Sequence, residues 1–259
     1  MTSTILNVLS SSLTSTLRLW NGTWGVLPSQ QPKLELHLYD REDDAQCRLV
    51  REVLTELNLD VLIYPCPVGG KRFAKQRKKL APKAGPGPVL YDPNTKTTLI
   101  SARSIIAYLF ETYAQTPIPR RLHLPLVDTL TSHLATLSRS TYRHGAQASH
   151  TPKQLLTLYS FESSPFSRLV REQLCSLELP YHLINLGKLQ WADMGPAAFR
   201  LVPGPYHPTP DSKRALFLQQ NGQVEVPFLI DPNTQVTLFE SQDILQYLQK
   251  TYAKPDHAQ

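Results

Sequence analysis

The chain is written twice, and that constrains its fold more than any other feature. Leu36-His-Leu-Tyr39 returns as Leu156-Thr-Leu-Tyr159, and Cys47-Arg-Leu-Val-Arg-Glu52 as Ser167-Arg-Leu-Val-Arg-Glu172, both 120 positions on. Pro88-Val-Leu-Tyr-Asp-Pro-Asn-Thr95 then returns as Pro227-Phe-Leu-Ile-Asp-Pro-Asn-Thr234. Ile105, Tyr108-Leu109 and Thr112-Tyr-Ala114 return as Ile244, Tyr247-Leu248 and Thr251-Tyr-Ala253. These later blocks are 139 apart, so the second copy carries 19 extra residues in its middle. Leu9 and Leu13 also align with Leu130 and Leu134, and Pro32-Lys33 with Pro152-Lys153. A helix is therefore expected ahead of each copy, the second within about 125–143.

Each copy reads in the same order. A short apolar strand (34–39; 154–159) enters an amphipathic helix (45–57; 165–177), and a second strand follows (61–65; 181–185). A variable stretch holds another helix, basic over 71–81 in the first copy. A strand opening on proline (88–91; 227–230) meets the Asp-Pro-Asn-Thr turn. A fourth strand (97–100; 236–239) and a last helix (102–114; 241–252) close the unit. A right-handed crossover makes the first two strands parallel. This is the thioredoxin arrangement, so the expected class is α/β, with two tandem thioredoxin-like domains, each with its own four-stranded sheet, joined by helical connectors. The expected boundaries are 1–33 for an N-terminal helical segment, 34–116 for the first domain, 117–153 for the linker and 154–254 for the second. Asn221-Gly222, inside the insertion, is a hairpin-type signal.

No apolar run approaches the ~20 residues of a membrane span. Residues 1–31 contain no acid, and Ile5, Leu6, Leu9, Leu13, Leu17 and Trp20 recur at helical spacing. That pattern fits a transit peptide, a helix lying on a membrane, or a helix packed on the protein; the aligned linker favours the last. The net charge of +6 favours anionic partners. Cys47, Cys66 and Cys175 form no Cys-x-x-Cys pair and no metal-ligand cluster, so no metal is expected and a reducing, cytoplasmic compartment is the default.

Ser164-Pro-Phe-Ser167 followed by Arg-Leu-Val-Arg-Glu, the strand opening at Pro227, and Glu240-Ser241 opening the last helix resemble a glutathione S-transferase N-terminal domain, a relative of glutaredoxin. With Tyr64-Pro-Cys-Pro67 and the Asp-Pro-Asn-Thr turns, the tandem form is similar to two-copy proteins of cyanobacteria and plastids. That resemblance implies a cyanobacterial cytosol or a plastid stroma. It implies glutathione as ligand, with Ser164 donating to its sulfur as the catalytic candidate. Phe166, Val226, Pro227, Glu240 and Ser241 complete the glutathione-binding set. The family's proline follows a cis peptide bond, which turns Val226, or Gly87 before Pro88, toward a ligand. The acidic-Ser pair of the family holds the γ-glutamyl end. The all-helical second domain of a transferase, which supplies the wall for the electrophile, has no counterpart in this chain.

The residues also read more plainly. Ser164-Pro165 is an ordinary helix start, and Glu240-Ser241 an ordinary cap with Asp243 in the first turn. In the first copy the matching positions are Asp44 and Ser101-Ala102, which lose the side-chain functions. The attacking cysteine of a dithiol enzyme is missing from both copies, being Asp44 and Ser164, so dithiol exchange is excluded chemically. Cys47 keeps the resolving position and is a candidate redox-modifiable thiol. Lys71, Arg72, Lys75, Arg77, Lys78, Lys79 and Lys83 form a basic run: a solvated face, or a docking patch for an acidic protein or lipid head groups. Without interleaved aromatics it is a poor nucleic-acid surface. Two functions follow: a glutathione S-transferase-like protein binding a thiol through its second copy, or an inactive scaffold binding an acidic protein or a membrane surface.

Overall fold

The structure is a computed structural model that describes residues 10–12, 15–16, 20–26, 30–119, 145–195 and 202–255. The first copy comprises β1 (Leu36–Asp40), α1 (Ala45–Glu56), β2 (Val61–Pro65), α2 (Ala74–Leu80), β3 (Val89–Asp92), β4 (Thr97–Leu99) and α3 (Ala102–Leu109), which continues as a π turn, Phe110–Ala114. The second repeats the order as β5 (Leu156–Ser160), α4 (Pro165–Ser176), β6 (Tyr181–Asn185), α5 (Lys213–Asn221), β7 (Phe228–Asp231), β8 (Val236–Leu238) and α6 (Ser241–Tyr252). In both copies the first two strands are parallel and the last two antiparallel.

The expectation of two separate four-stranded sheets is corrected. All eight strands form one sheet, ordered β4-β3-β1-β2-β6-β5-β7-β8. The join is antiparallel: Val61 opposes Leu183, Leu62 opposes His182 and Ile63 opposes Tyr181. These partners exchange exactly under the 120-residue repeat, so a local two-fold runs through the Leu62–His182 pair. The physical reason lies in the edge. Alone, each copy would expose β2 or β6 as an apolar edge with unpaired N–H and C=O groups, and pairing them removes both edges. One hydrophobic core accordingly draws on both copies, with Leu38, Val50 and Leu54 alongside Leu158, Val170 and Leu174.

The repeated Arg-Leu-Val-Arg-Glu helix explains itself here. Its Leu-Val pair enters the core, while its arginines cross the two-fold. Arg51 of the first copy reaches Glu162 of the second at 3.0 Å, and Arg171 of the second reaches Glu42 of the first at 3.1 Å. Arg51 also holds Asp40 at 2.7 Å and Arg171 holds Glu162 at 3.0 Å. All are buried. Burial alone would raise the Glu162 carboxyl, but Arg171, Arg51, Arg168 and Arg48 outweigh it and hold it at about 2.

The Asp-Pro-Asn-Thr turns are likewise structural. Asp92 accepts from the hydroxyls of Tyr108 and Tyr113 and from the Asn94 backbone N–H at 2.7 Å. Asn94 in turn pairs both ways with the Leu34 backbone at 2.8 Å. Asp231, Tyr247, Tyr252, Asn233 and Gln154 repeat the arrangement. Asn221-Gly222 is a second correction: Gly222, at φ 74°, ends α5 as its C-cap and makes no hairpin. A left-handed residue serves either turn equally well. The leucines expected to pack the N-terminal helix (Leu9, Leu13 and Leu17), and Leu130 and Leu134 of the linker, lie outside the described residues.

Candidate functional site

A cavity of about 420 Å³ opens on the second copy, and all six of its sequence-predicted residues line it: Ser164, Phe166, Val226, Pro227, Glu240 and Ser241. The fold brings them together from three places. Ser164 is the N-cap of α4, with Pro165 at the first helical position. Val226 and Pro227, joined by a cis peptide bond, lead into β7. Glu240 is the N-cap residue of α6, and Ser241 opens that helix. Two helix N-termini thus face one cavity, each an end with orphan N–H groups and partial positive charge.

Capping and donation turn out to be compatible roles for Ser164. Its Oγ accepts from the Ser167 backbone N–H at 3.3 Å, which uses a lone pair and leaves the hydroxyl hydrogen to donate. At Glu240 the plain cap reading finds no side-chain hydrogen bond to the helix. The exposed Glu240 carboxylate therefore stands at the cavity rim beside the buried Ser241. Lys188 lines the wall, its Nζ 5.4 Å from the Phe161 ring centroid. Arg214 lines it too, but is held by the Leu186 carbonyl at 2.7 Å and by Tyr206 and Asp193.

The remaining wall was not found from the sequence. Trp20, Thr23 and Trp24 of the N-terminal segment line the cavity, and Trp191 stands edge-on to Trp24 at 5.3 Å. The segment is stitched to the second copy. Ser15 donates to the Ser163 carbonyl at 2.7 Å, and Ser11 to that of Pro165 at 2.9 Å. Thr23 bonds the Ser163 hydroxyl, and Arg168 donates to the Ser11 carbonyl at 2.7 Å. The signal was there in two tryptophans just before the first copy, but the cavity they line belongs to the second, with Ser164 about 140 residues on. Their number gave no hint of which copy they would cover.

The first copy assembles no such set. Asp44 spends its carboxylate on the N–H groups of Gln46 and Cys47, each at 2.9 Å. Ser101 caps α3 through the Ser104 N–H at 3.2 Å. The cis bond expected before Pro88 is absent; the Gly87 carbonyl is instead taken by Arg77 at 2.7 Å. Cys47, the candidate redox-modifiable thiol, is fully buried, and burial pushes its thiol well up. Burial pushes Cys66 up to about 12. Among the described residues no helix is long and apolar enough to cross a membrane, and no group of three or more His, Cys, Asp or Glu side chains could hold a metal ion.

The family model of the glutathione S-transferase N-terminal domain matches residues 38–117 and again 158–256. No curated protein and no solved structure matches the chain. The matched stretches cover most of the chain and coincide with its two repeats, so this protein belongs to the glutathione S-transferase N-terminal domain family and carries that thioredoxin-like domain twice.

Proposed function

We propose that the chain is a glutathione S-transferase-like, non-dithiol protein that binds glutathione or a related thiol through its second copy. One observation carries the reading: the Ser164 hydroxyl, the Val226-Pro227 edge and two helix N-termini converge on one cavity. An anionic tripeptide needs such an array. Ser164 donates to the sulfur and favours its thiolate. The backbone at Val226 pairs with the peptide as a short strand would. The α6 N-terminus and Ser241 receive the γ-glutamyl carboxylate, and Glu240 the ammonium group. The first copy keeps none of these side-chain functions and serves as scaffold. Its buried arginines, shared with the second copy, support that role.

Calorimetric titration of the full chain with reduced glutathione tests the proposal. Ser241→Ala and Glu240→Ala should each weaken binding by ~10-fold or more, the worth of one charged hydrogen bond. Ser101→Ala should leave it unchanged. No heat at millimolar ligand, or equal losses from the two copies, would sink the reading.

A further inference from the structure

Seven cations and no acid occupy residues 71–83, so the rest of the chain sums to −1 against a total of +6. The whole positive balance of the protein sits on one short segment. Within it α2 has no buried residue at all, whereas the helix in the second copy's variable region, α5, buries Arg214 and Phe217 beside the cavity. Lys75, Lys78 and Lys79 share one face of α2 by their i, i+3, i+4 spacing and are exposed, with Lys71 and Lys83 exposed beyond its ends. The helix is nevertheless fixed. Phe73 and Ala81 are buried at its ends, and Arg72 donates to the Leu177, Glu178 and Ser149 carbonyls at 3.2, 2.6 and 3.0 Å. With the backbone already held, binding need order only the lysine side chains and not the helix.

Beside this face lies a cavity of about 350 Å³. Pro67, Ala81, Pro82 and Pro86 give it an apolar wall, while Arg77 and Lys78 supply cations. Glu178, the one acid among its described lining residues, accepts the Arg72 backbone N–H at 2.9 Å. From this juxtaposition we infer that α2 and its cavity are a docking site for an acidic segment of a partner protein, one that lays carboxylates on the lysines and inserts a single apolar side chain. The site is separate from the proposed thiol cavity. A flat lipid surface has nothing to place in a concave pocket, and the lining contains no aromatic ring on which a base could stack. Hydrated lysine point charges suit a wet, salt-sensitive protein encounter.

Fluorescence anisotropy of the full chain with a short labelled peptide of glutamates around one phenylalanine tests this, next to the same peptide with a central glycine. The phenylalanine peptide should bind several-fold tighter, and Lys75→Gln/Lys78→Gln/Lys79→Gln should weaken it ~10-fold or more. Ala74→Phe, at an exposed position on the cavity, should remove the preference for phenylalanine while leaving glycine-peptide binding in place; it tests the pocket without touching a lysine. Equal affinity for the two peptides, binding unmoved by the triple substitution, or tighter binding to phosphatidylserine vesicles or single-stranded DNA would each overturn the inference.

Discussion

Replacing Glu162 by glutamine should destabilise the whole chain by about 3 kcal/mol at neutral pH. The carboxylate lies within 3.0 Å of both Arg51 and Arg171 and within 4.0 Å of Arg48, with every partner buried. Removing one side of a buried ion pair costs about 3–5 kcal/mol, because the opposite charges are left uncompensated. The arginines accordingly favour the charged form and hold the carboxyl at about 2, below its ordinary 4.5. The sign follows from linkage. The folded-state value lies below the unfolded one, so the stability is fully present above about pH 4.5 and is lost as pH falls toward 2. Thermal unfolding followed by circular dichroism at pH 7 and pH 3 reads both effects. The variant should melt about 6–12 °C lower at pH 7, at about 2–4 °C per kcal/mol for a chain of this size. It should also lose less further stability on acidification than the parent. A variant within about 0.5 kcal/mol of the parent at pH 7, the scatter of an ordinary surface substitution, would refute the ion network as a source of stability.

The two aspartate turns should behave as independent clamps: Asp92→Asn and Asp231→Asn should each cost about 1.5–3 kcal/mol by thermal melting, and the double variant the sum, because they sit at opposite ends of the sheet. Hydrogen bonds from two tyrosines and an asparagine overcome burial and hold both carboxyls below the usual range, so this stability too should fade on acidification, below about pH 4. In Cys66→Ser/Cys175→Ser, the remaining Cys47 should react with a disulfide reagent only in denaturant; fast reaction in the native protein would show that its burial is not maintained.

Much of the fold was legible because the repeat supplied two readings of each element. The strands at 61–65 and 181–185 were read to the residue, and Pro88 and Pro227 marked the starts of β3 and β7. The six residues that the family resemblance singled out in the second copy line one cavity, each lying at a helix start or a proline-led strand. What escaped was tertiary. Glu42 and Glu162 sit in short turns that looked like connectors, and only the two-fold places each against the other copy's arginine. Nothing in Val61–Pro65 says that its edge meets a second copy of itself. Asn221-Gly222 misled because a hairpin and a helix end both ask for a left-handed residue. Gly87-Pro88 misled because equal sequence position does not force equal conformation when Arg77 claims the carbonyl.

The shared network also gives the first copy a part in building the cavity on the second. The turn that leads into α4 runs from Phe161 to Ser164, and the first copy grips it at several points. Thr55 accepts the Glu162 backbone N–H at 3.2 Å, and Arg51 and Arg48 hold its side chain. The same turn receives Thr23 and Gly22 of the N-terminal segment at Ser163. Ser164 is therefore positioned by three parts of the chain, one being the Ala45–Glu56 helix of the first copy. Asp40, which pairs with Arg51, is replaced in the second copy by Ser160, which accepts from Arg171 at 3.0 Å. Arg48, Arg51, Arg168 and Arg171 thus meet Asp40, Glu42 and Glu162, with Glu52 also acting on Arg48, across a nearly symmetric joint. Asp44 and Ser101, which cap helices of the first copy, can change without disturbing that joint, because neither reaches across it. Arg51 cannot, because its loss would leave Glu162, and with it the approach to Ser164, without its main support from the first copy.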